Sequence, residues 1–160
     1  MIIIIMGVSG AGKTTIGKLL AQELSWKFYD ADDFHSAANK DKMSRGVPLA
    51  DEDRADWLAS LRGLLNQNIE VSQSVFLACS ALKQEYRDIL RVNNEIRFVY
   101  LCGSHQQIEA RMKERKDHYM KAEMLSSQFA TLEEPKDALI VDISKTPKEI
   151  VALIRKEWNL

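Results

Sequence analysis

Residues Gly7 to Thr14 read GVSGAGKT, a complete GxxxxGK(S/T) pattern, and they follow the apolar run Ile2 to Met6. The residues after it, Thr14 to Leu24, place Ile16, Leu19, Leu20 and Leu24 on one helical face. A buried strand, a glycine-rich turn and an amphipathic helix in that order build an anion cradle. Glycines 7, 10 and 12 let successive N–H groups face one point, and the helix adds its positive N-terminal end. Lys13 is placed to reach the β- and γ-phosphates of a nucleotide, and the Thr14 hydroxyl to ligate Mg²⁺. The competing reading is a plain turn with a solvated lysine. Three glycines in six positions would weaken such a turn without return, so a nucleotide-binding loop over Gly7, Val8, Ser9, Gly10, Ala11, Gly12, Lys13, Thr14 and Thr15 is expected.

The rest of the chain fits one domain. Its 160 residues, 46% of them hydrophobic, supply a core without disulfides or a structural metal. With 22 Lys and Arg against 23 Asp and Glu, it lacks the basic excess that nucleic-acid binding favours. Cys79 and Cys102 end apolar runs without CxxC spacing and read as reduced thiols, which points to the cytoplasm. The opening MIIIIM is too short to span a membrane and lacks the features of a signal peptide.

Apolar, β-branched runs at Ile2 to Met6, Lys27 to Tyr29, Val75 to Ala78, Ile96 to Leu101 and Ala138 to Ile143 alternate with helical patterns. Asp53 to Ile69 puts Trp57, Leu58, Leu61, Leu64 and Leu65 on one face, and capping boxes at Ser104/Gln107 and Thr146/Glu149 start two more helices. This alternation predicts an α/β fold with a mainly parallel sheet of about five strands flanked by helices.

The second run ends in Asp30-Ala31-Asp32-Asp33-Phe34-His35, three carboxylates where α/β sheets place their ligands. One could orient and deprotonate an acceptor hydroxyl and another could hold a Mg²⁺ shell. Asp32 is the favoured base and Asp30 the metal-side carboxylate, whereas Asp33 also reads as a solvated first-turn acid. Which of Asp32 and Asp33 acts as the base stays open.

The blocks GVSGAGKT, DADDFH with Asn39, Lys42 and Met43, GVPL, DEDR, ACSALK with Tyr86-Arg87-Asp88, His118-Tyr119-Met120 and Ser127-Gln128-Phe129 resemble the gluconokinases, P-loop sugar-acid kinases related to shikimate kinase. The resemblance spans roughly residues 2 to 135. It implies transfer of the γ-phosphoryl group of ATP to the 6-hydroxyl of D-gluconate, a cytoplasmic homodimer, and a mobile lid near residues 109 to 130. A polyhydroxylated anion needs cations and hydrogen-bonding groups around it. His35, Lys42, Arg54, Lys83, Arg87, His118 and Gln128 are the substrate-side candidates, with Lys83 and Arg87 read as sharing a helix face. Arg111 and Arg115, one turn apart and read as facing the same way, look like lid arginines: Arg115 for the transferring phosphoryl group, Arg111 for adenine. Solvated helix faces are the bland alternative for all these cations. Kinases of another acceptor, shikimate-like or a nucleotide, and a nucleotide-switched binding protein are the rival functions.

Overall fold

The computed structural model describes residues 1–115 and 122–160. Strand β1 (Ile2–Met6) is buried along its whole length, as a strand covered on both faces must be. It runs through the loop into helix α1 (Lys13–Leu24), then β2 (Lys27–Asp30), a 3₁₀ turn (Ala31–Phe34), α2 (Ala37–Ser44), α3 (Asp51–Glu70), β3 (Val75–Ala78) and α4 (Gln84–Leu90). β4 (Ile96–Cys102), α5 (His105–Glu114), α6 (Ala122–Thr131), β5 (Leu139–Asp142) and α7 (Pro147–Trp158) complete the chain. The strands pair in the order β2-β3-β1-β4-β5, all parallel.

Alternate residues of β1 feed two cores. Ile3 and Ile5 pack with Ile16 and Leu20 of α1, Ile108 of α5 and Ile154 of α7. Ile2, Ile4 and Met6 pack with Leu58, Leu61 and Leu65 of α3 and Leu90 of α4. Each fully buried Ile or Leu contributes roughly 1.5–3 kcal/mol relative to exposure, so this central strand anchors both helical layers. Both expected capping boxes form, with Ser104 accepting from the Gln107 N–H and Thr146 from the Glu149 N–H. β1 is flanked by β3 on one side and β4 on the other, so the loop leaving its carboxyl end lies at the point where the chain order reverses, the usual ligand crevice of an open α/β sheet.

Candidate functional site

The carboxyl ends of β1, β2 and β3 open into one cleft of about 630 Å³. Its floor is the glycine loop. Gly10 adopts φ +84° and Gly12 φ +103°, conformations that side chains rarely take, and a Cβ on Gly10 would also press on Met112 at 2.9 Å. Gly12 is the N-cap of α1 and receives no side-chain cap, so the N–H groups of the first helical turn point at the cleft unspent. The first bond of that helix runs from the Ile16 N–H to the Gly12 carbonyl at 3.0 Å. The expected anion cradle is therefore present in shape.

Lys13 lies in this floor with its Nζ donating to the Val8 carbonyl at 2.9 Å. Burial lowers its proton affinity, and the carboxylates of Asp32 and Asp30 act against that. The Thr14 hydroxyl donates to Asp30 Oδ2 at 3.0 Å, while Asp30 Oδ1 accepts the Asp32 N–H, also at 3.0 Å. A hydroxyl beside a carboxylate is an all-oxygen donor set of the kind Mg²⁺ prefers. Among the described residues no group of three His, Cys, Asp or Glu could hold a metal alone, so an ion here would draw its remaining ligands from phosphates and water.

Asp32 opens onto the cleft from the 3₁₀ turn. The surrounding walls desolvate its carboxyl, and with Asp30 beside it they raise its pKa above the ordinary 3.8, with Lys13 pulling the other way. A carboxylate with increased proton affinity next to an ammonium suits proton transfer.

His35 lines the same wall, stacked on the Trp57 ring at 4.3 Å, and Trp57 in turn donates its indole N–H to the Ala31 carbonyl. Burial, then the charge of Arg54, pushes the His35 pKa down to about 4, so the ring is neutral near pH 7. Asn39 Nδ2 donates to the Asp53 carbonyl at 2.6 Å and approaches His35 Nδ1 at 3.4 Å. That contact leaves the imidazole proton on Nε2 as a donor. Trp57, read from sequence only as core packing, is thus also part of the cleft wall.

Arg54 enters the cleft from α3, its Nη1 3.2 Å from the Tyr86 hydroxyl and its guanidinium 5.5 Å from the ring centroid. The Tyr86 hydroxyl donates to Asp51, which also accepts from Lys83 at 2.9 Å. These bonds hold the Asp51 carboxyl below the usual carboxylate range and raise the Lys83 ammonium. Tyr86 links α3 to α4 around Arg54, a role its type alone did not suggest. Its place in the block ACSALK with Tyr86-Arg87-Asp88 was the available signal.

Several expected residues are placed elsewhere. Lys83 is the N-cap residue of α4 rather than a member of it, and so does not share a helical face with Arg87. Arg87 is 1% exposed and turned inward. Its guanidinium donates to the carbonyls of Ala81, Leu82 and Glu133 and to Gln84 Oε1 at 2.7 to 3.2 Å. Lys42 sits on α2 in an ion pair with Asp53 at 2.8 Å. Helix α5 ends at Glu114, so Arg111 and Arg115 part ways: Arg111 donates to the Ile143 carbonyl, whereas Arg115, in extended backbone, lines the cleft. Met112 and Ile108 bury the inner face of that helix. Gln128 of α6 also lines the cleft, and Thr15 is exposed just above the loop. His118 lies outside the described residues. Cys79 is buried under the cleft with its thiol pushed up to about 12, which leaves it inert, and both cysteines are free.

The shikimate kinase family profile matches residues 9–157. A probable gluconokinase of Mus musculus is 44% identical over 96% of this chain and 95% of its own. An unliganded sugar kinase from Janibacter superimposes with a TM-score of 0.92 at 40% identity, covering 99% of this chain and 94% of that one. A gluconokinase from Sinorhizobium meliloti does so at 0.85 and 36%, covering 98% and 93%.

Proposed function

This chain belongs to the gluconokinases of the shikimate kinase family, and from that premise we propose that it phosphorylates D-gluconate at the 6-hydroxyl with ATP, giving 6-phospho-D-gluconate and ADP. One observation carries the reading. A phosphate-binding loop, a carboxylate of raised proton affinity and two guanidinium groups open onto a single cleft.

In this reading the first-turn N–H groups of α1 and Lys13 bind the β- and γ-phosphates. Asp32 orients the 6-hydroxyl and takes its proton as that oxygen attacks the γ-phosphorus and the bond to the ADP oxygen breaks. Arg115 faces the charge that spreads over the transferring oxygens. Arg54 anchors the gluconate carboxylate, and neutral His35 donates from Nε2 to a hydroxyl without competing for that anion. Thr14 and Asp30 hold Mg²⁺, which when bound neutralises charge on the β- and γ-oxygens. Residues near 109 to 130 act as the lid, keeping out the water that would compete with gluconate. Arg111 is assigned to the adenine side and His118 to the substrate side.

Two free thiols suit work in the cytoplasm, and no helix among the described residues is long and apolar enough to cross a membrane. The family resemblance extends the proposal to a homodimer.

The test is a panel of acceptors, gluconate, shikimate and nucleoside monophosphates, with ADP release followed at fixed ATP. Gluconate alone should stimulate turnover, and Lys13→Ala should abolish it without moving the unfolding midpoint. Stimulation by another acceptor instead, or full activity in the Lys13 variant, contradicts the assignment.

A further inference from the structure

Helix α6 brings Gln128 into the cleft beside Met124, Ser127 and Thr131. Its Oε1 accepts the backbone N–H of Ser9 at 2.7 Å, across 119 positions of sequence. An N–H group only donates, so chemistry sets the orientation of the carboxamide: oxygen toward Ser9, amino group away from it. Among the described residues that Nε2 has no protein partner, although Gln128 lines the cleft.

The loop divides accordingly. Gly7 spends its N–H on the Ser80 carbonyl, Ala11 on the Val8 carbonyl and Ser9 on Gln128. Among the described residues, the donors left for an anion include the Gly10 N–H and those from Gly12 onward, at the uncapped end of α1. At Ser9 itself the main-chain N–H is spent, and the pair of N–H donors on Gln128 stands beside it. The sugar-acid candidates Asp32, His35 and Arg54 come from the 3₁₀ turn and α3, whereas Gln128 is tied to the loop itself.

We propose that Gln128 touches the reacting group: Oε1 fixes the loop at Ser9, and Nε2 donates to an oxygen of the γ-phosphoryl group. The inference rests on the phosphotransfer reading above, and it assigns a phosphoryl contact to a residue that sequence placed with the sugar acid. A neutral carboxamide suits the place because it gives donors without adding charge.

Two variants separate the halves of the side chain. Gln128→Glu keeps an oxygen for the Ser9 N–H, as a stronger charged acceptor, but replaces the amino donors by an anion facing phosphate. Gln128→Ala removes both halves. Affinity for ADP and for a non-hydrolysable ATP analogue, each with Mg²⁺, is measured by calorimetry, together with unfolding midpoints and the kinetics of gluconate phosphorylation. The expected result is a weaker analogue affinity by about tenfold in Gln128→Ala and more in Gln128→Glu, with ADP affinity within about twofold, since a charge-assisted hydrogen bond to the γ-phosphate is lost in one and replaced by repulsion in the other. Turnover should fall further in Gln128→Glu than in Gln128→Ala. A Gln128→Glu protein as active as Gln128→Ala or better would show that only the Ser9 tie matters and overturn the proposal. A rise in KM for gluconate with unchanged analogue affinity would move the donor to the sugar acid and overturn it equally. If Gln128→Glu does not fold, the ratio of analogue to ADP affinity in Gln128→Ala decides alone. A wild-type protein that binds the analogue but never phosphorylates gluconate would sink the functional reading while leaving this comparison intact.

Discussion

Arg87→Met isolates the most consequential buried charge in the chain. The substitution keeps the apolar stem and removes the guanidinium, so packing changes little. Four acceptors lose the guanidinium, but the Leu82 carbonyl keeps the Glu133 N–H at 2.8 Å, so the one left stranded in a residue almost wholly enclosed is the Ala81 carbonyl. A stranded buried carbonyl costs roughly 1–3 kcal/mol. The acceptors on Gln84 and Glu133, whose residues are exposed, recover water and add little. Against this stands relief of a desolvated cation, whose Nε has no partner among the described residues and whose pKa burial already lowers. About 1.4 kcal/mol of net destabilisation remains, roughly tenfold in the folded-to-unfolded ratio. With a urea slope of about 2 kcal/mol/M, tryptophan fluorescence should show the unfolding midpoint falling by about 0.7 M. At a temperature where the variant stays folded, its KM for gluconate should lie within about twofold of wild type, a change under about 0.4 kcal/mol. An unmoved midpoint with a tenfold rise in that KM would refute the reasoning and return Arg87 to the substrate.

Other expectations follow from the cleft. Asp32→Asn should lower kcat by about 10² to 10⁴ with little effect on KM for ATP, because it removes the proton acceptor and not the phosphate cradle. In the wild type, the acid limb of kcat/KM should lie above the ordinary carboxylate value of 3.8, since the native pKa of Asp32 is raised; a limb at or below it contradicts the base assignment. His35 has a native pKa of about 4 against an ordinary 6.5, so the unfolded chain binds a proton that the native one refuses. Stability should therefore be constant above pH 6.5 and decline as pH falls toward 4, and His35→Gln should flatten that decline in urea titrations; an unchanged slope rejects the burial argument. Tyr86→Phe removes the hydroxyl between Asp51 and Arg54. At about 0.5–1.5 kcal/mol for such a bond, KM for gluconate should rise by roughly two- to tenfold while KM for ATP stays put; the opposite split would detach Arg54 from the sugar acid.

Local chemistry was readable wherever neighbours in sequence decide it. Runs such as Ile2–Met6 and Val75–Ala78 form strands at those bounds because unbroken β-branched and apolar residues suit a doubly covered sheet. The glycine loop was legible because its positive φ angles demand glycine at Gly10 and Gly12. Strand order was not legible, since parallel neighbours are joined by long crossovers that leave no trace in either strand. Nor was the fate of Arg87: a lysine and an arginine four apart imply a shared face only inside a helix, and α4 begins one residue too late for Lys83. The end of α5 at Glu114 separated Arg111 from Arg115 for the same kind of reason. The Ser9 to Gln128 bond joins positions that only the closed fold brings together.

One reaction decides the function of this protein. Purified protein incubated with ATP, Mg²⁺ and D-gluconate should yield ADP and an equal amount of a sugar-acid monophosphate whose ³¹P–¹H coupling places phosphorus on C6. A product phosphorylated at another carbon, or ATP consumed to inorganic phosphate with gluconate recovered unchanged, would contradict it.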